Sequence, residues 1–600
     1  MFFFLHILDK YFNSTFLLMI LKKIWGYISI RRKKQLALLL LLMLFASVAE
    51  VISIGAVVPF LGVLSNPKIV FEHEMVQPLI LLLELTEPEQ LLMPFTIIFS
   101  LAAIIAGLTR IILLWGQTRL AHAIGADFSY EIYRRTLYQP YTIHVSRNSS
   151  EVIAGISSKA NQIVGGAIMP VMMITSSFFL LTMILTTLIT LNPIVVISMI
   201  AGLALIYGLF ISITKSRLVV NSEQISKKNN LVIKALQEGL GGIRDVLIDG
   251  TQSTYCSTFR AADLPLRRAA ANNHIISQSP RYGIEALGMV LISCLAYSLG
   301  AGENNLIGIL PILGAIALGA QRILPMLQQA YSGWSSISGS HFVLQDAIAL
   351  IEQPLPIYAD VPIIKNVPFQ KGITMEKLSF RYGVNTPWVL RDLNLEIPKG
   401  SRIGFIGTTG SGKSTLLDNI MGLLHPSEGK IAIDGMEVTD QNHRGWQSHI
   451  SHIPQTIYLS DATITENIAF GVPIEKINQQ QVQFAAKQAQ LAKTIETLNQ
   501  GYETMVGERG VRLSGGQRQR IGIARALYKQ ADVIIFDEAT SALDNKTERA
   551  VMEAIDNIQE EITILMVAHR VTTLKSCNLI VELEDGKIKR SGSYLEIIET

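Results

Sequence analysis

The sequence predicts a helical membrane domain of six spans followed by an α/β nucleotide-binding domain. Two observations carry this prediction. Mean hydropathy is +0.36 and only 16% of the 600 residues are charged, which is too apolar for a soluble protein. The motif Gly407-Thr-Thr-Gly-Ser-Gly-Lys413-Ser414 lies between an apolar run and a helix-like segment, the strand–loop–helix context of a phosphate-binding loop.

The membrane half is indicated by six long apolar runs. Each is near the roughly 20 residues that a helix needs to cross a bilayer. An even number of spans returns the chain to the side on which it began. The runs fall at about 36–64, 92–115, 165–191, 194–214, 283–301 and 306–328.

Loop charges orient these spans. Residues 68–90 are acidic, whereas the connections 119–160 and 215–268 are basic, the second with nine Lys and Arg residues. Basic connections stay on the cytoplasmic side, and both are helix-compatible, so spans two to five are expected to continue into the cytosol as helices. The excess of 25 basic over 20 acidic residues in positions 1–360 therefore indicates topology and not nucleic-acid binding.

We divide the chain into four parts. Residues 1–35 form an interfacial segment, 36–345 the membrane domain, 346–365 a proline-punctuated linker, and 366–600 the nucleotide-binding domain. The three cysteines form neither a disulfide framework nor a metal-binding spacing.

The phosphate-binding loop carries the first site residues. Glycines 407, 410 and 412 allow backbone N–H groups to surround a polyphosphate, Lys413 reaches its outer phosphates, and the Ser414 hydroxyl is a ligand for Mg²⁺. This chemistry predicts ATP or GTP with Mg²⁺ as cofactors. The loop also contains Thr408, Thr409, Ser411 and Thr415.

Two further motifs lie downstream. Val533-Ile-Ile-Phe-Asp537-Glu538 is typical of a buried strand that ends in a metal-binding carboxylate, Asp537, and a general base, Glu538. Just before it stands Leu513-Ser-Gly-Gly-Gln517. A phosphate-binding loop, this pentapeptide and Asp-Glu, in that order, resemble the ATP-binding cassette (ABC) proteins.

The resemblance implies roles for more residues. Tyr382 corresponds to the aromatic residue that stacks on adenine, Gln455 to the glutamine that contacts Mg²⁺, and His569 to the histidine at the γ-phosphate. Asp544 resembles the aspartate that couples two sites. In this family the pentapeptide comes from a second cassette, so the resemblance implies a homodimer in which Ser514, Gly515, Gly516 and Gln517 complete the partner's ATP site.

Membrane domain first and cassette second resembles the exporter class. The implied fold is a six-span membrane domain of the ABC exporter type followed by an α/β P-loop cassette. Short coupling helices are expected near 140–148 and 243–251. Hydrolysis of ATP would drive transport.

Charged residues within the spans are the internal clue to the substrate. Intramembrane ionisable groups normally face a bundle interior or a wet cavity, which would suit a polar or anionic head group. Two alternatives stay open: Arg281 and Glu285 are four residues apart and could pair on one helix face, and the other arginines could hold the bundle together. The candidates are Glu50, Arg110, Arg281, Glu285 and Arg322.

Membrane motifs give a finer resemblance. The stretches 49–61, 239–245 and 280–288, and a helix-like segment around Val76 to Leu85, resemble the PglK-type bacterial flippases of polyprenyl-pyrophosphate-linked oligosaccharides. This implies an integral protein of the bacterial inner membrane with a cytoplasmic cassette, membrane lipids around it and a lipid-linked oligosaccharide as substrate.

Three other functions compete with this one. An exporter of lipid A, or of another amphiphile or drug, would have the same cassette and a different cavity. A peptide exporter is less favoured, because residues 1–35 are too short for the cysteine-protease domain that some carry. An ATP-gated or regulatory membrane protein without a pump cycle would not need Glu538, Ser514 and His569.

Overall fold

The computed structural model describes residues 15–148, 152–153, 155–191, 193–300, 306–361, 367–538, 544–556, 562–567 and 571–598. The chain forms two compact units. The first comprises Met1–Gln139 and Arg147–Leu355, and the second comprises Pro140–Ser146 and Pro356–Thr600.

The first unit is helical. Its N-terminal helix α1 is amphipathic and buries Ile20, Leu21 and Ile24. Helix α1 spans Thr15–Tyr27. The helices that follow are α2 (Ile30–Gly55), α3 (Val57–Ser65), α4 (Pro67–Phe71), α5 (Gln77–Leu82), α6 (Leu92–Leu137), α8 (Ala160–Ile163), α9 (Met169–Leu191), α10 (Pro193–Gly241), α11 (Ile243–Ile248), α12 (Gln252–Gly300), α13 (Leu306–Gly339) and α14 (His341–Ile351). Helix α7 (Tyr141–Ser146) belongs to the second unit.

Four described helical segments are long and apolar enough to cross a membrane, and they match the first four predicted spans. The fifth and sixth predicted spans coincide with the C-terminal part of α12 and the N-terminal part of α13, where the structure describes the helices but not many of their side chains. The first spanning helix begins at Ile30 and not at residue 36, because the basic residues 31–34 form its first turn. The four segments are Ile30–Ser65, Pro88–Leu137, Asn161–Thr187 and Ile200–Gly241.

Three helices are much longer than a span. Helix α6 has 46 residues, and α10 and α12 have 49 residues each. The prediction that spans continue as helices beyond the bilayer is confirmed for these three. The predicted short helices are also present, as α7 and α11.

The helical segment that leads into α9 contains two π-helical turns, Gly155–Lys159 and Val164–Ile168. Each π turn accommodates an extra residue, so it changes which side chains face the neighbouring helices. The second π turn packs closely against α6 at Gly125. A Cβ on Gly125 would lie only 2.3 Å from Cγ2 of Val164.

The loop between the first two predicted spans has its own small core. Helix α5 lies within the predicted 76–85 segment, and a 3₁₀ turn at Pro88–Leu91 leads into α6. Ile80 and Leu91 pack with Val63 and Phe95, all of them buried. The loop is therefore a folded element.

The second unit contains two sheets. The larger has strand order β10-β9-β3-β8-β7-β6. Its parallel strands β7 and β8 are almost wholly apolar and buried, because both faces of the sheet are covered there. The smaller is antiparallel, with order β2-β1-β4-β5. The strands are β1 (Gly372–Phe380), β2 (Leu390–Pro398), β3 (Arg402–Gly407), β4 (Glu428–Ile433), β5 (Met436–Glu437), β6 (Ile450–Ile453), β7 (Val533–Asp537), β8 (Thr563–Val567), β9 (Leu579–Glu584) and β10 (Lys587–Gly592).

Helices cover these sheets and bury two hydrophobic clusters. Trp446 is fully buried, and its indole Nε1 donates to the Ile420 carbonyl over 2.7 Å, which satisfies its polar group inside the core. The helices are α15 (Lys413–Ile420), α16 (His443–Gln447), α17 (Ile464–Ile468), α18 (Gln479–Gln488), α19 (Ala492–Glu496), α20 (Gly515–Tyr528), α21 (Asn545–Asp556) and α22 (Tyr594–Ile598), together with α7.

Candidate nucleotide site and transport machinery

The phosphate-binding loop connects central strand β3 to helix α15. Its glycines have backbone φ angles of +146° (Gly407), +85° (Gly410) and +98° (Gly412), which favour residues without a Cβ. A Cβ on Gly407 would lie 2.2 Å from the Leu583 carbonyl oxygen. Gly407 is therefore required by packing as well as by conformation.

Lys413 closes the loop on itself. Its ammonium donates to the carbonyls of Gly407 and Thr408, both over 2.9 Å. These contacts hold the charge at the mouth of the loop, where an outer phosphate can replace the two carbonyl acceptors.

The side chain of Ser411 indicates whether a phosphate would fit in the loop. Its hydroxyl oxygen is buried and has no hydrogen-bond partner among the described residues. A buried hydroxyl normally has a partner, and a phosphate oxygen is an acceptor of the required kind. The loop thus suits a polyphosphate, with Thr408, Thr409 and Thr415 beside it.

Two carboxylates end strand β7 next to this loop. The Asp537 side chain accepts a hydrogen bond from Ser414. Burial and the charge of Glu538 raise the pKa of Asp537, while Lys413 and the Ser414 hydrogen bond act in the opposite direction. Ser414 and Asp537 together could hold a divalent cation at a bound phosphate.

Glu538 is held from two directions. Gln455 donates from Nε2 to Glu538 Oε2 over 2.5 Å, and the Glu538 backbone N–H donates to the Val567 carbonyl over 3.0 Å. Strands β6, β7 and β8 are neighbours, so the fold brings these positions together at one end of the sheet. The sequence places Gln455 and Glu538 in one site, and the structure has them in contact.

The aromatic residue Tyr382 reaches the other side of the loop. Its hydroxyl lies 3.3 Å from Thr415 Oγ1, its ring packs edge-on against Phe380 with centroids 5.0 Å apart, and 47% of its surface is exposed. An exposed ring fixed beside the phosphate loop is available for a base to stack on.

Sequence reasoning missed two residues at this site. Asp418, one turn after Ser414, has a pKa raised to about 6 by burial and by the charge of Asp537. The second is Tyr141 of helix α7. Burial raises the pKa of Tyr141, and the nearby Asp418 and Tyr382 raise it further. The spacing of Asp418 in its helix is a local signal, but Tyr141 is more than 230 residues from Tyr382 and only the fold reveals it.

The pentapeptide forms the start of helix α20. Ser514 is the N-cap: its hydroxyl accepts from the Gln517 N–H over 3.2 Å, and its own N–H donates to the Gln517 side chain over 2.7 Å. This reciprocal box fixes Gly515 and Gly516 in the first helical turn, where free N–H groups attract an anion.

Two residues predicted at this site remain. Asp544 precedes α21 and accepts hydrogen bonds from the Thr547 N–H over 2.9 Å and the Thr547 hydroxyl over 2.7 Å, which lower its pKa. His569 lies outside the described residues.

Family models match both halves of the chain. The model described as "ABC transporter transmembrane region" matches residues 37–298, and the one described as "ABC transporter" matches residues 390–541. The chain is an ABC transporter. The predicted family, the cassette, and an ATPase activity coupled to transport are thereby confirmed.

Relatives similar to this transporter include proteins named as flippases. It is 28% identical to the ATP-dependent lipid A-core flippase of Alkalilimnicola ehrlichii over 487 residues, 79% of this chain and 80% of the relative. It is also 28% identical to the flippase of the same name from Francisella novicida over 499 residues, 80% and 81% of the two chains. A plant relative, ABC transporter B family member 1 of Arabidopsis thaliana, is 31% identical over 60% of this chain but only 28% of its own length.

A solved structure shares the fold. The chain matches a structure titled as a bacterial Atm1-family ABC exporter with ATP bound, with a TM-score of 0.75 and 21% identity, covering 94% of this chain and 96% of the other. The predicted exporter-type fold, with a helical membrane domain and a cassette, is confirmed.

Four of the five charged residues predicted to line a substrate cavity form two ion pairs. Arg110 of α6 contacts Glu50 of α2 over 2.8 Å, and Glu50 is almost completely buried. Arg281 contacts Glu285 over 2.7 Å on the exposed face of α12, the i,i+4 alternative that the spacing allowed. Arg322 lies in α13, but its side chain is outside the description.

Proposed function

We propose that the transporter is an ATP-driven flippase that moves a polyprenyl-pyrophosphate-linked oligosaccharide across the bacterial inner membrane, with its cassette in the cytoplasm. The observation that carries the choice of substrate is the folded first external loop. Helix α5 lies where the resemblance to PglK-type flippases implies an extra helix, and it has its own buried core around Ile80.

The second candidate substrate is lipid A with its core saccharide. The names of relatives that match four fifths of the chain favour it. Both candidates are amphiphiles with an anionic saccharide head group, so they require the same ATP-driven cycle and differ in the cavity.

In the proposed cycle, the phosphate loop and Lys413 bind the ATP phosphates and Tyr382 stacks on adenine. Ser414, Asp537 and Gln455 would hold Mg²⁺, which would neutralise charge on the phosphates. Mg²⁺ keeps several waters and uses substrate phosphates, so it needs few protein ligands. Glu538 acts as the general base and orients the attacking water, and His569 contacts the γ-phosphate. Asp544 couples the two sites.

We further propose a homodimer with two composite ATP sites. The Ser514 hydroxyl, the Gly515–Gly516 backbone and Gln517 of one protomer would cover the phosphates held by the other. The N-terminus of α20 supplies partial positive charge for this, because its first N–H groups have no helical acceptors.

A mixed dimer tests this arrangement. One differently tagged protomer carries Glu538→Gln and the other Ser514→Arg. If the sites are composite, one site of the mixed dimer is intact and retains about half of the wild-type ATPase activity. If each site belonged to one chain, both would be inactive. In the control dimer, one protomer carries both changes. Composite sites would then both be inactive, whereas sites that each belong to one chain would leave one site active.

Leaflet transfer in proteoliposomes tests the substrate. We expect ATP-dependent transfer of a pyrophosphate-linked oligosaccharide lipid, none with Glu538→Gln, and none of lipid A. Transfer of lipid A alone would reverse the choice. ATPase activity with neither lipid would leave an amphiphile or drug exporter, and no turnover in the purified dimer would favour a regulatory or gated protein.

The charges in the spans give a further test. If they bind substrate, Arg281→Ala and Arg322→Ala reduce lipid transfer and spare basal ATPase activity. Because Arg281 is exposed and already paired with Glu285, we expect the Arg281 variant to transfer lipid normally and any loss to come from Arg322.

A further inference from the structure

A groove runs between helices α2 and α6 on the membrane unit. Its volume is about 780 Å³, and it is lined mainly by apolar side chains such as Leu38, Leu42 and Phe45 of α2 and Ile112 of α6. The helices are antiparallel, as two ion pairs show: Arg32 contacts Asp127 near one end and Arg110 contacts Glu50 near the other, both over 2.8 Å.

Gly116 makes the groove deep. A Cβ at this position would lie 3.3 Å from Leu39 Cδ1, so the glycine allows α6 to approach α2 closely. Where two backbones approach, the large side chains on either side stand as walls and leave a channel between them.

The two ends of the groove differ in polarity. At one end lie Arg32, Gln35 and Arg119, and at the other lie Phe45 and Ile112. Arg32 is neutralised by Asp127 and also donates to Gln35 over 3.0 Å. Arg119 is exposed, and in the described part of the chain no carboxylate forms an ion pair with it. The polar end therefore carries one uncompensated positive charge.

With the basic connections on the cytoplasmic side, this polar end is expected at the depth of the cytoplasmic head groups. Arg119 is 27 residues beyond the start of α6 at Leu92, or about 40 Å along a helix. That is more than the roughly 30 Å of the hydrocarbon core. Trp115, whose ring is 5.9 Å from the Arg119 guanidinium, has the position of an interfacial aromatic residue. The basic residues 31–34 lie at the same level.

We infer that this groove binds an anionic phospholipid of the cytoplasmic leaflet. Its phosphate lies at Arg119 and one acyl chain runs along Leu38, Phe45 and Ile112 towards the bilayer centre. A zwitterionic lipid of the same shape fits the apolar channel but gains less from the unpaired guanidinium. The inference depends on the membrane orientation and not on which substrate is transported.

Trp115 provides the measurement. The full-length protein is reconstituted in vesicles that contain brominated phosphatidylglycerol or brominated phosphatidylcholine at equal mole fraction. Bromine quenches indole fluorescence at contact. The chain has five tryptophans, so the Trp115 signal is the difference between the wild type and Trp115→Phe.

We expect Trp115 to be quenched with a roughly fivefold preference for phosphatidylglycerol, the effect expected of one basic side chain beside an anionic lipid. Arg119→Gln should remove the preference and keep the remaining quenching. Arg260→Gln, which removes an exposed arginine of α12, should leave it unchanged. Equal quenching by both lipids in the wild type would overturn the inference. Quenching by neither would also overturn it, because no lipid would then lie beside Trp115 in the groove.

Discussion

Gln455 and Glu538 hold each other through a hydrogen bond of 2.5 Å between the amide Nε2 and the carboxylate Oε2. Glu538 has a backbone φ of +53°, a conformation that costs a residue other than glycine about 1–3 kcal/mol. Such strain persists where the surrounding structure fixes the residue. Here the sheet and Gln455 do so, and they direct the carboxylate to the end of β7 beside the phosphate loop.

The first prediction concerns Glu538→Gln. If Glu538 is the general base, its amide analogue lowers the ATPase rate at least about 100-fold, because an amide cannot accept the water's proton. ATP binding should persist, since the loop and Lys413 are unchanged. Phosphate release and filter binding of radiolabelled ATP measure the two properties. Sustained turnover near the wild-type rate would remove Glu538 from this role.

The second prediction concerns pH and Asp418. Its pKa is raised from 3.8 to about 6, so the folded cassette holds this proton more tightly than the unfolded chain. Asp418 therefore destabilises the fold progressively as pH rises from about 4 to about 6, and fully above that. We expect Asp418→Asn to raise the melting temperature of the nucleotide-free, magnesium-free protein at pH 7.5, and to raise it by a smaller amount at pH 5.

Asp544→Ala is the matched control for Asp418. Hydrogen bonds from Thr547 lower the pKa of Asp544, so its contribution is stabilising above about pH 4 and is lost as pH falls further. The control should lower the melting temperature at pH 7.5. A gain for Asp418→Asn that is equal at pH 5 and pH 7.5 would show that titration is not its cause.

The third prediction compares two ion pairs. Arg110→Met removes the arginine that pairs with the buried Glu50 carboxylate and should cost on the order of 3 kcal/mol. Adding Glu50→Gln should recover part of that loss, because no charge remains buried. Arg281→Met breaks an exposed pair and should be nearly neutral. Thermal unfolding in one detergent ranks the variants, and equal losses for Arg110 and Arg281 would contradict the difference in burial.

The fourth prediction concerns the thiols. Cys577 is buried and its pKa is raised to about 12, whereas Cys256 is exposed. Only the thiolate reacts rapidly, so in a Cys294→Ser background at pH 7.5 a maleimide should modify Cys256 and spare Cys577 until the cassette unfolds. Prompt labelling of a Cys256→Ser, Cys294→Ser protein would refute this.

The nucleotide loop was predictable from sequence because its chemistry is local. Gly407, Lys413 and Ser414 lie within eight residues of one another, and the strand before them and the helix after them are visible in the hydrophobic pattern. The Arg281–Glu285 pair was predictable as an alternative for the same reason, because residues four apart share a helix face.

Contacts between distant segments were not predictable in this way. Glu50 and Arg110 lie on different helices, and only the register of α2 against α6 shows that they pair. The approach of Tyr141 to Tyr382 and the pKa of Asp418 likewise depend on how strands and helices assemble. The π turns before α9 have no clear composition signal, since one extra residue leaves the apolar pattern almost intact.

Helices α10 and α12 each contain 49 residues, which gives a length of about 73 Å. A bilayer's hydrocarbon core accounts for roughly 30 Å of this, so more than half of each helix is outside the lipid. Each helix can act as a lever arm: a tilt of about 5° displaces a point 40 Å away by about 3.5 Å. A tilt too small to disturb the packing between the spans therefore moves the far end of the helix by a distance comparable to the separation of two atoms in contact.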